Sequence, residues 1–156
     1  MVRDESVMGK IIDSKSEMEE IFKKAKVGRL GMCLNNKPYI IPIGFVYHKG
    51  KIYFHSANRG RKIRIMKMNP YVCFEVDEYE LIPNQDPCKF TFQYRSALAF
   101  GEVRFLKARK DKLEILNAMI NKYDSNHIAK PLDESMIRNI VVGEISIRLM
   151  TGKRNP

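Results

Sequence analysis

The stretch Ile52-Tyr53-Phe54-His55-Ser56-Ala57-Asn58-Arg59-Gly60-Arg61-Lys62 changes character part-way along. Its first six residues alternate, with Ile52, Phe54 and Ser56 on one face and Tyr53, His55 and Ala57 on the other, which is the period of a β-strand. Asn58 and Gly60 then break the pattern, and Arg59, Arg61 and Lys62 crowd cations into the break. A helix opening at Arg61 would aim free backbone N–H groups at the same spot as the Ser56 hydroxyl and two basic side chains, the makings of a phosphate site. The same residues also read as a polar strand end leading into a basic, solvated helix.

Upstream, Ser16 and Glu19 form a capping box for a helix that ends near Lys26, with Met18, Ile21, Phe22 and Ala25 on one face. Arg29–Leu34, Tyr39–Tyr47 and Lys51–Ala57 read as three strands joined by short turns, an antiparallel meander. Pro42 cannot donate to a ladder, so its strand is expected at an edge, at a bulge or beside a ligand. Downstream, a short helix from Arg61 stops at Asn69-Pro70, and Tyr71–Glu78 is a strand with Val72, Phe74 and Val76 inward. Residues 79–89 form an irregular connection, Phe90–Leu106 a long strand bent at Gly101, and Arg109–Tyr123 a helix burying Leu113, Leu116 and Ile120. A short helix near Asp133–Arg138, a last strand Ile140–Leu149 and a basic tail Thr151–Arg154 complete the chain, and Met1–Ser14 is expected to be an arm. Six strands that do not alternate with helices predict a mainly β fold, a small antiparallel barrel with peripheral helices, in a single domain spanning 1–156.

The chain has 156 residues, 44% of them hydrophobic and 29% charged, as in soluble globular proteins. It contains no run of about 18 apolar residues and its N-terminus lacks an apolar h-region, so a cytoplasmic address with no membrane partner is expected. Cys33, Cys73 and Cys88 are neither paired nor closely spaced; Cys33 and Cys73 read as buried thiols and Cys88 as an exposed loop residue. His48, His55 and His127 share no metal-ligand spacing, so no metal is expected, and no nucleophile elbow or Walker loop occurs. The net charge of +10 admits phosphorylated ligands or nucleic acid. Tyr53, Phe54 and Tyr71 are spaced as core strand residues and not as a base-stacking platform, which argues against nucleic acid. Tyr94-Arg95-Ser96 puts polar residues on both faces of a core strand, for a ligand, for a subunit contact or at a solvated strand end.

The ordered series Gly28-Arg29-Leu30-Gly31, Pro38-Tyr39-Ile40-Ile41-Pro42-Ile43, Ile52–Ala57, Gly60-Arg61-Lys62, Asn69–Phe74, Tyr94-Arg95-Ser96, Gly101-Glu102-Val103 and Thr151–Arg154 resembles the flavin-binding split-barrel family related to pyridoxamine 5'-phosphate oxidase. Within it, the series is most similar to the nitroimidazole-resistance branch. That resemblance implies a six-stranded split barrel that forms a homodimer and holds flavin mononucleotide (FMN) at the subunit interface. By it, Ser56, Arg61 and Lys62 would hold the FMN phosphate with His55 beside them, and Ile41, Pro42 and Ile43 would lie along the flavin ring. Ser96 with Arg95 would complete the site, with Lys153 a further candidate. The implied activity is ping-pong electron transfer from a small reduced donor through FMN to a small acceptor, nitroaromatics among the candidates, with no side chain required as acid or base. The alternative is a module that binds or stores FMN without turnover. The substrate-binding arginine and histidine that pyridoxamine-phosphate oxidases carry near their C-terminus have no counterpart in Thr151–Pro156, which speaks against vitamin B6 oxidation.

Overall fold

The computed structural model describes residues 9–155, except the side chain of Glu134, so most of the expected N-terminal arm lies outside the described residues. Eight strands and four helices follow one another: β1 (Lys10–Ile11), α1 (Lys15–Lys24), β2 (Val27–Leu34), β3 (Lys37–Gly44), β4 (Val46–His48), β5 (Lys51–Ala57), α2 (Arg61–Met68), β6 (Tyr71–Ile82), β7 (Thr91–Phe105), α3 (Arg109–Tyr123), α4 (Glu134–Ile137) and β8 (Ile140–Asn155). A 3₁₀ turn at Pro87–Lys89 precedes β7. All the pairings are antiparallel, in the order β3-β2-β6-β7-β8-β5-β4, with β1 beside the end of β8.

The two ends of that order, β3 and β4, are consecutive in the chain with only Phe45 between them. One sequence strand is therefore broken into two, and each half pairs with a different neighbour: β3 with β2, β4 with β5. The sheet must curl to bring its own edges together at Phe45, which makes it a split barrel. This accounts for the difference from the six expected strands: the second splits at Phe45, and Lys10–Ile11 adds a short one. The expected meander keeps its successive antiparallel pairings, β2 with β3 and β4 with β5, but the break means that no ladder joins β3 to β5.

Phe45 is held there from both ends. Its ring is fully buried against Phe74, with centroids 4.8 Å apart, and near Phe22 of α1. Its N–H donates to the Tyr123 hydroxyl (2.8 Å) and its carbonyl accepts from Lys122 Nζ (3.0 Å), so α3 replaces the ladder partners that the break removes.

Leu30, Phe54, Phe74, Val76, Ala97 and Ile145 fill the barrel, with Phe22 of α1 and Ile63, Ile65 and Met66 of α2 joining the same core. Each large side chain so buried contributes about 1.5–3 kcal/mol. Gly28 is needed because a Cβ there would lie 2.1 Å from the Phe74 ring. The expected bend at Gly101 is present as a register shift between Phe100 and Gly101, where a Cβ would meet the Ser146 carbonyl at 2.1 Å. On the outside, α3 lays Ile115, Leu116 and Met119 over Val46, Tyr53 and Val142.

Several expectations shift. The α1 cap is Ser14, which accepts from the Glu17 N–H (3.2 Å), so the capping pair sits two residues earlier than Ser16 and Glu19. The basic tail is not a tail: Thr151–Arg154 continue β8, paired with β7, and Lys10–Ile11 pair on their other side. Cys33 and Cys73 are half-buried rather than core thiols, and Tyr71 is 58% exposed, because all three point away from the barrel interior. Among the described residues, no helix is long and apolar enough to cross a membrane.

Candidate functional site

Strand alternation carries Ser56 to the barrel side of β5 with Ile52 and Phe54, and it is 6% exposed. Its hydroxyl has no hydrogen-bond partner among the described residues. A buried hydroxyl left unpaired costs about 1–3 kcal/mol, a penalty a fold bears where the group serves something else. Five residues on, α2 begins at Arg61 as expected, after Gly60 at φ +119° and with no side chain capping it, so its first N–H groups are free of a capping partner. The Arg61 guanidinium lies over the Tyr39 ring of β3, 4.3 Å from its centroid, bringing that cation to the gap between β5 and β3. Among the described residues, Arg59, Arg61, Lys62 and Arg64 make no ion pair. The chain thus gathers an orphaned buried hydroxyl, an uncapped helix start and unneutralised cations at one end of β5.

His55 points to the other side of β5, into a groove of about 410 Å³ beneath α3 lined by Leu116, Met119, Ile120 and Leu132. Partial burial and then the nearby Lys62 charge lower its pKa, which favours the uncharged imidazole.

β3 ends the sheet, so one row of its backbone groups has no ladder partner. Ile41, Pro42 and Ile43 sit opposite Leu30, Arg29 and Gly28 of β2. Ile41 and Ile43 are half-buried against the core, whereas Pro42 is exposed on the outer face. An open, apolar edge strand beside a cationic helix start offers a flat ligand both a surface and backbone hydrogen bonds.

The remaining candidates lie elsewhere. Arg95 is engaged by Glu78, with Glu17 and Glu20 of α1 at 3.6 and 3.7 Å, which ties α1 to the sheet. Ser96 is on the opposite, outer face, in register between Asp77 and Lys153. Beside it Arg29 bonds Asp77 (2.5 Å) and reaches Glu75 (3.6 Å). Burial chiefly, and then Asp77, raises the Glu75 pKa. Ser56 pairs with Val141 at the start of β8, while Lys153 is near its end, roughly 40 Å along an extended strand at 3.3 Å per residue. A single chain therefore does not bring Ser96 and Lys153 to Ser56.

Sequence reasoning missed an apolar groove of about 660 Å³ on the outer face of β3, β2, β6 and β7, where Ile40, Tyr71, Cys73 and Phe100 line it and Arg148 closes one side. Ile40, Gly31, Cys73, Phe100 and Leu149 form one register row across five strands. The signal was available: apolar residues occupy both parities of Tyr39–Ile43 and of Ala97–Phe100, as in strands covered on both faces.

Residues 14–154 match the sequence pattern of the pyridoxamine 5'-phosphate oxidase family. The chain belongs to that family. A family resemblance read from Gly28–Arg154 thus extends through α1 as well. Among solved structures, a candidate 5-nitroimidazole antibiotic resistance protein from Bacteroides thetaiotaomicron is 26% identical, with a TM-score of 0.81 over 93% of this chain and 86% of that one. A FAD and heme binding protein from Mycobacterium smegmatis is 14% identical with a TM-score of 0.80 over 96% and 74%, a likeness of fold. A curated relative, an uncharacterised protein of Rhizobium meliloti, is 30% identical over 66 residues, a match spanning 42% of this chain and 43% of that protein.

Proposed function

We propose that this family member is an FMN-binding oxidoreductase that works as a homodimer, passing electrons between a small reduced donor and a small acceptor. The observation that carries the reading is the unpartnered, buried Ser56 hydroxyl at the end of β5, five residues ahead of the uncapped start of α2 with its unneutralised Arg61 and Lys62. These groups suit a phosphate dianion, which accepts from a hydroxyl, from cations and from free N–H groups at once. FMN, when bound, supplies two-electron redox chemistry; the chain binds and orients it. Ser56, Arg61 and Lys62 would hold the phosphate, and the free edge of β3 at Ile41–Ile43 would meet the ring. Arg61, spread over Tyr39, links the two regions. His55, on the far side of β5 from Ser56, would border the site without acting as its base.

A second copy enters because Ser96 and Lys153 lie far along β8 from Ser56. A partner stacked on the outer sheet face would cover the apolar groove and carry the partner's Ser96 and the partner's Lys153 toward the flavin. The same face bears exposed Ile40, Tyr79, Phe92 and Leu149, surface that a monomer would leave in water. Nitroaromatics are the acceptor class proposed, by likeness to the resistance protein from Bacteroides. A cytoplasmic site of action is part of the same proposal.

The test is the purified protein. It should be yellow or take up FMN with one flavin per chain, bind riboflavin, which lacks the phosphate, at least about 100-fold more weakly, and lose FMN in the double variant Arg61→Ala, Lys62→Ala while keeping its far-UV spectrum. Bound FMN should be bleached by a reduced nicotinamide and reoxidised by a nitroaromatic. Colourless protein with no FMN uptake refutes the reading, and retained stoichiometric FMN in the double variant refutes the phosphate site.

A further inference from the structure

The break at Phe45 sets the direction in which β3 leaves the barrel, and side chains from α3 occupy it. Lys122 Nζ donates to the Ala25 carbonyl (2.5 Å) and the Phe45 carbonyl (3.0 Å) and lies 3.8 Å from the centre of the Phe45 ring. The Tyr123 hydroxyl accepts from the Phe45 N–H (2.8 Å) and donates to the Lys26 carbonyl (2.6 Å). Gly44 lies against the same hydroxyl, where a Cβ would be 3.2 Å away. Two adjacent residues thus join the lead-in to β2, at Ala25 and Lys26, to the end of β3, at Gly44 and Phe45.

This is a costly way to cap a strand. An ammonium is placed among carbonyls and an aromatic face, with no carboxylate paired to it among the described residues, and burial lowers its pKa to about 8. A neutral residue would fill the space without that penalty. What lysine adds is geometry: one tetrahedral donor group reaches two carbonyls on separate segments while its charge faces the ring that anchors the break.

We infer that Lys122 and Tyr123 are positioning residues that fix the angle of β3 at the Phe45 break and so align the Ile41–Ile43 edge on which the flavin ring rests. The inference rests on the reading that this edge carries the ring. Neither residue touches the reacting atoms. They act through Phe45 and Gly44, two residues and one residue beyond Ile43. Loss of the clasp leaves the barrel core intact, because Phe45 keeps its packing against Phe22 and Phe74, and frees the end of β3 to swing.

The experiment compares Lys122→Met, Lys122→Arg and Tyr123→Phe with the wild type by amide hydrogen exchange of the apo protein and by FMN titration. Lys122→Met should speed exchange over residues 40–46 at least tenfold, leave residues 72–76 of β6 unchanged and weaken FMN binding about tenfold. Lys122→Arg, which still donates to both carbonyls and stacks on Phe45, should restore both. Wild-type exchange in Lys122→Met and Tyr123→Phe overturns the inference, and so does faster exchange with unaltered FMN affinity. If Lys122→Met does not fold, Tyr123→Phe, lacking one hydroxyl, decides by the same two measurements. A wild-type protein that binds no FMN defeats the cofactor reading, whereas a wild type that binds FMN with a Lys122→Met variant that binds it equally well defeats only the clasp.

Discussion

Ser56→Ala separates the cost of the candidate site from its use, because the two effects have opposite signs. In the apo protein the Ser56 hydroxyl is buried and unpaired. Its removal recovers about 1–3 kcal/mol of desolvation and forfeits a small amount of packing, leaving a net gain of about 1 kcal/mol. For a chain of 156 residues that corresponds to a melting temperature roughly 2–4 °C higher. With FMN bound, the same change removes a hydrogen bond to a charged acceptor, worth about 1.5–3 kcal/mol, so affinity should fall about tenfold to a hundredfold. The assay is thermal unfolding with and without FMN at fixed concentration, beside a fluorescence-quenching titration. The variant curve should start above the wild type without ligand and cross below it as FMN is added, because ligand stabilisation scales with the logarithm of concentration over Kd. An apo variant that melts below the wild type, or one whose FMN affinity is unchanged, refutes the argument that this hydroxyl is held in reserve for a ligand.

Other perturbations follow from the same geometry. Glu144 is 3% exposed and accepts from Lys51 (2.8 Å), Tyr53 (3.0 Å) and Arg104 (2.5 Å). Burial alone would raise its pKa, but these three donors outweigh it and hold the carboxyl at about 2, against 4.5 unperturbed. Its stabilising contribution is therefore complete above pH 4.5 and lost as pH falls toward 2. Since Arg104 and Lys51 face solvent, about 1–2 kcal/mol is expected, and the stability gap between wild type and Glu144→Gln should shrink steadily in denaturant titrations from pH 5 to pH 2. For Lys122 the sign is reversed: a folded pKa of about 8 against 10.5 means the unfolded chain binds more protons between those values, so stability rises with pH there. The wild type should gain about 1–2 kcal/mol relative to Lys122→Met between pH 8 and 10. Gly28→Ala forces a methyl to within 2.1 Å of the Phe74 ring and should destabilise the fold by about 1–3 kcal/mol, measured as an earlier urea midpoint.

Local chemistry was legible wherever one residue type decides it. Strand β5, the start of α2 at Arg61, the stop at Asn69 and the bounds of α3 fall where alternation, glycine, Asn-Pro and helical periodicity put them. The buried face of α3 differs: it buries Ile115, Leu116 and Met119 and leaves the expected Leu113 and Ile120 half-buried, because it rolls against β4, β5 and β8. The break at Phe45 was not legible. Tyr39–Tyr47 is continuous strand sequence, and the partners that satisfy the Phe45 backbone come from residues 122 and 123, with no local trace. The outer sheet face was misread for a related reason. Cys33, Cys73 and Tyr71 are apolar by type, and type alone assigns them to the core. Which of two apolar faces is the interior depends on how the sheet curls, a property of the ladder and not of the strand. The resemblance puts Arg95 with Ser96 in one site, yet consecutive strand residues face opposite ways, and the three carboxylates around Arg95 come from α1 and β6.

The distribution of charge bears on what the cationic stretch can bind. The sheet and α1 pair many of their cations: Arg29 with Asp77, Arg95 with Glu78, Arg104 with Glu144, Arg148 with Glu102 and Arg154 with Glu17. Asn58–Pro70 holds Arg59, Arg61, Lys62, Arg64 and Lys67 with no acidic residue, so much of the +10 net charge lies at one end of β5. At 1.5 Å per residue the eight residues of α2 extend only about 12 Å. A duplex backbone places its charges along tens of ångströms and is bound by correspondingly long basic stripes. A helix this short, with Arg61 drawn aside over Tyr39, offers no such stripe and suits a small anion better than a duplex. The apolar edge of β3 continues from that point, and a phosphate tail joined to a flat apolar ring matches both.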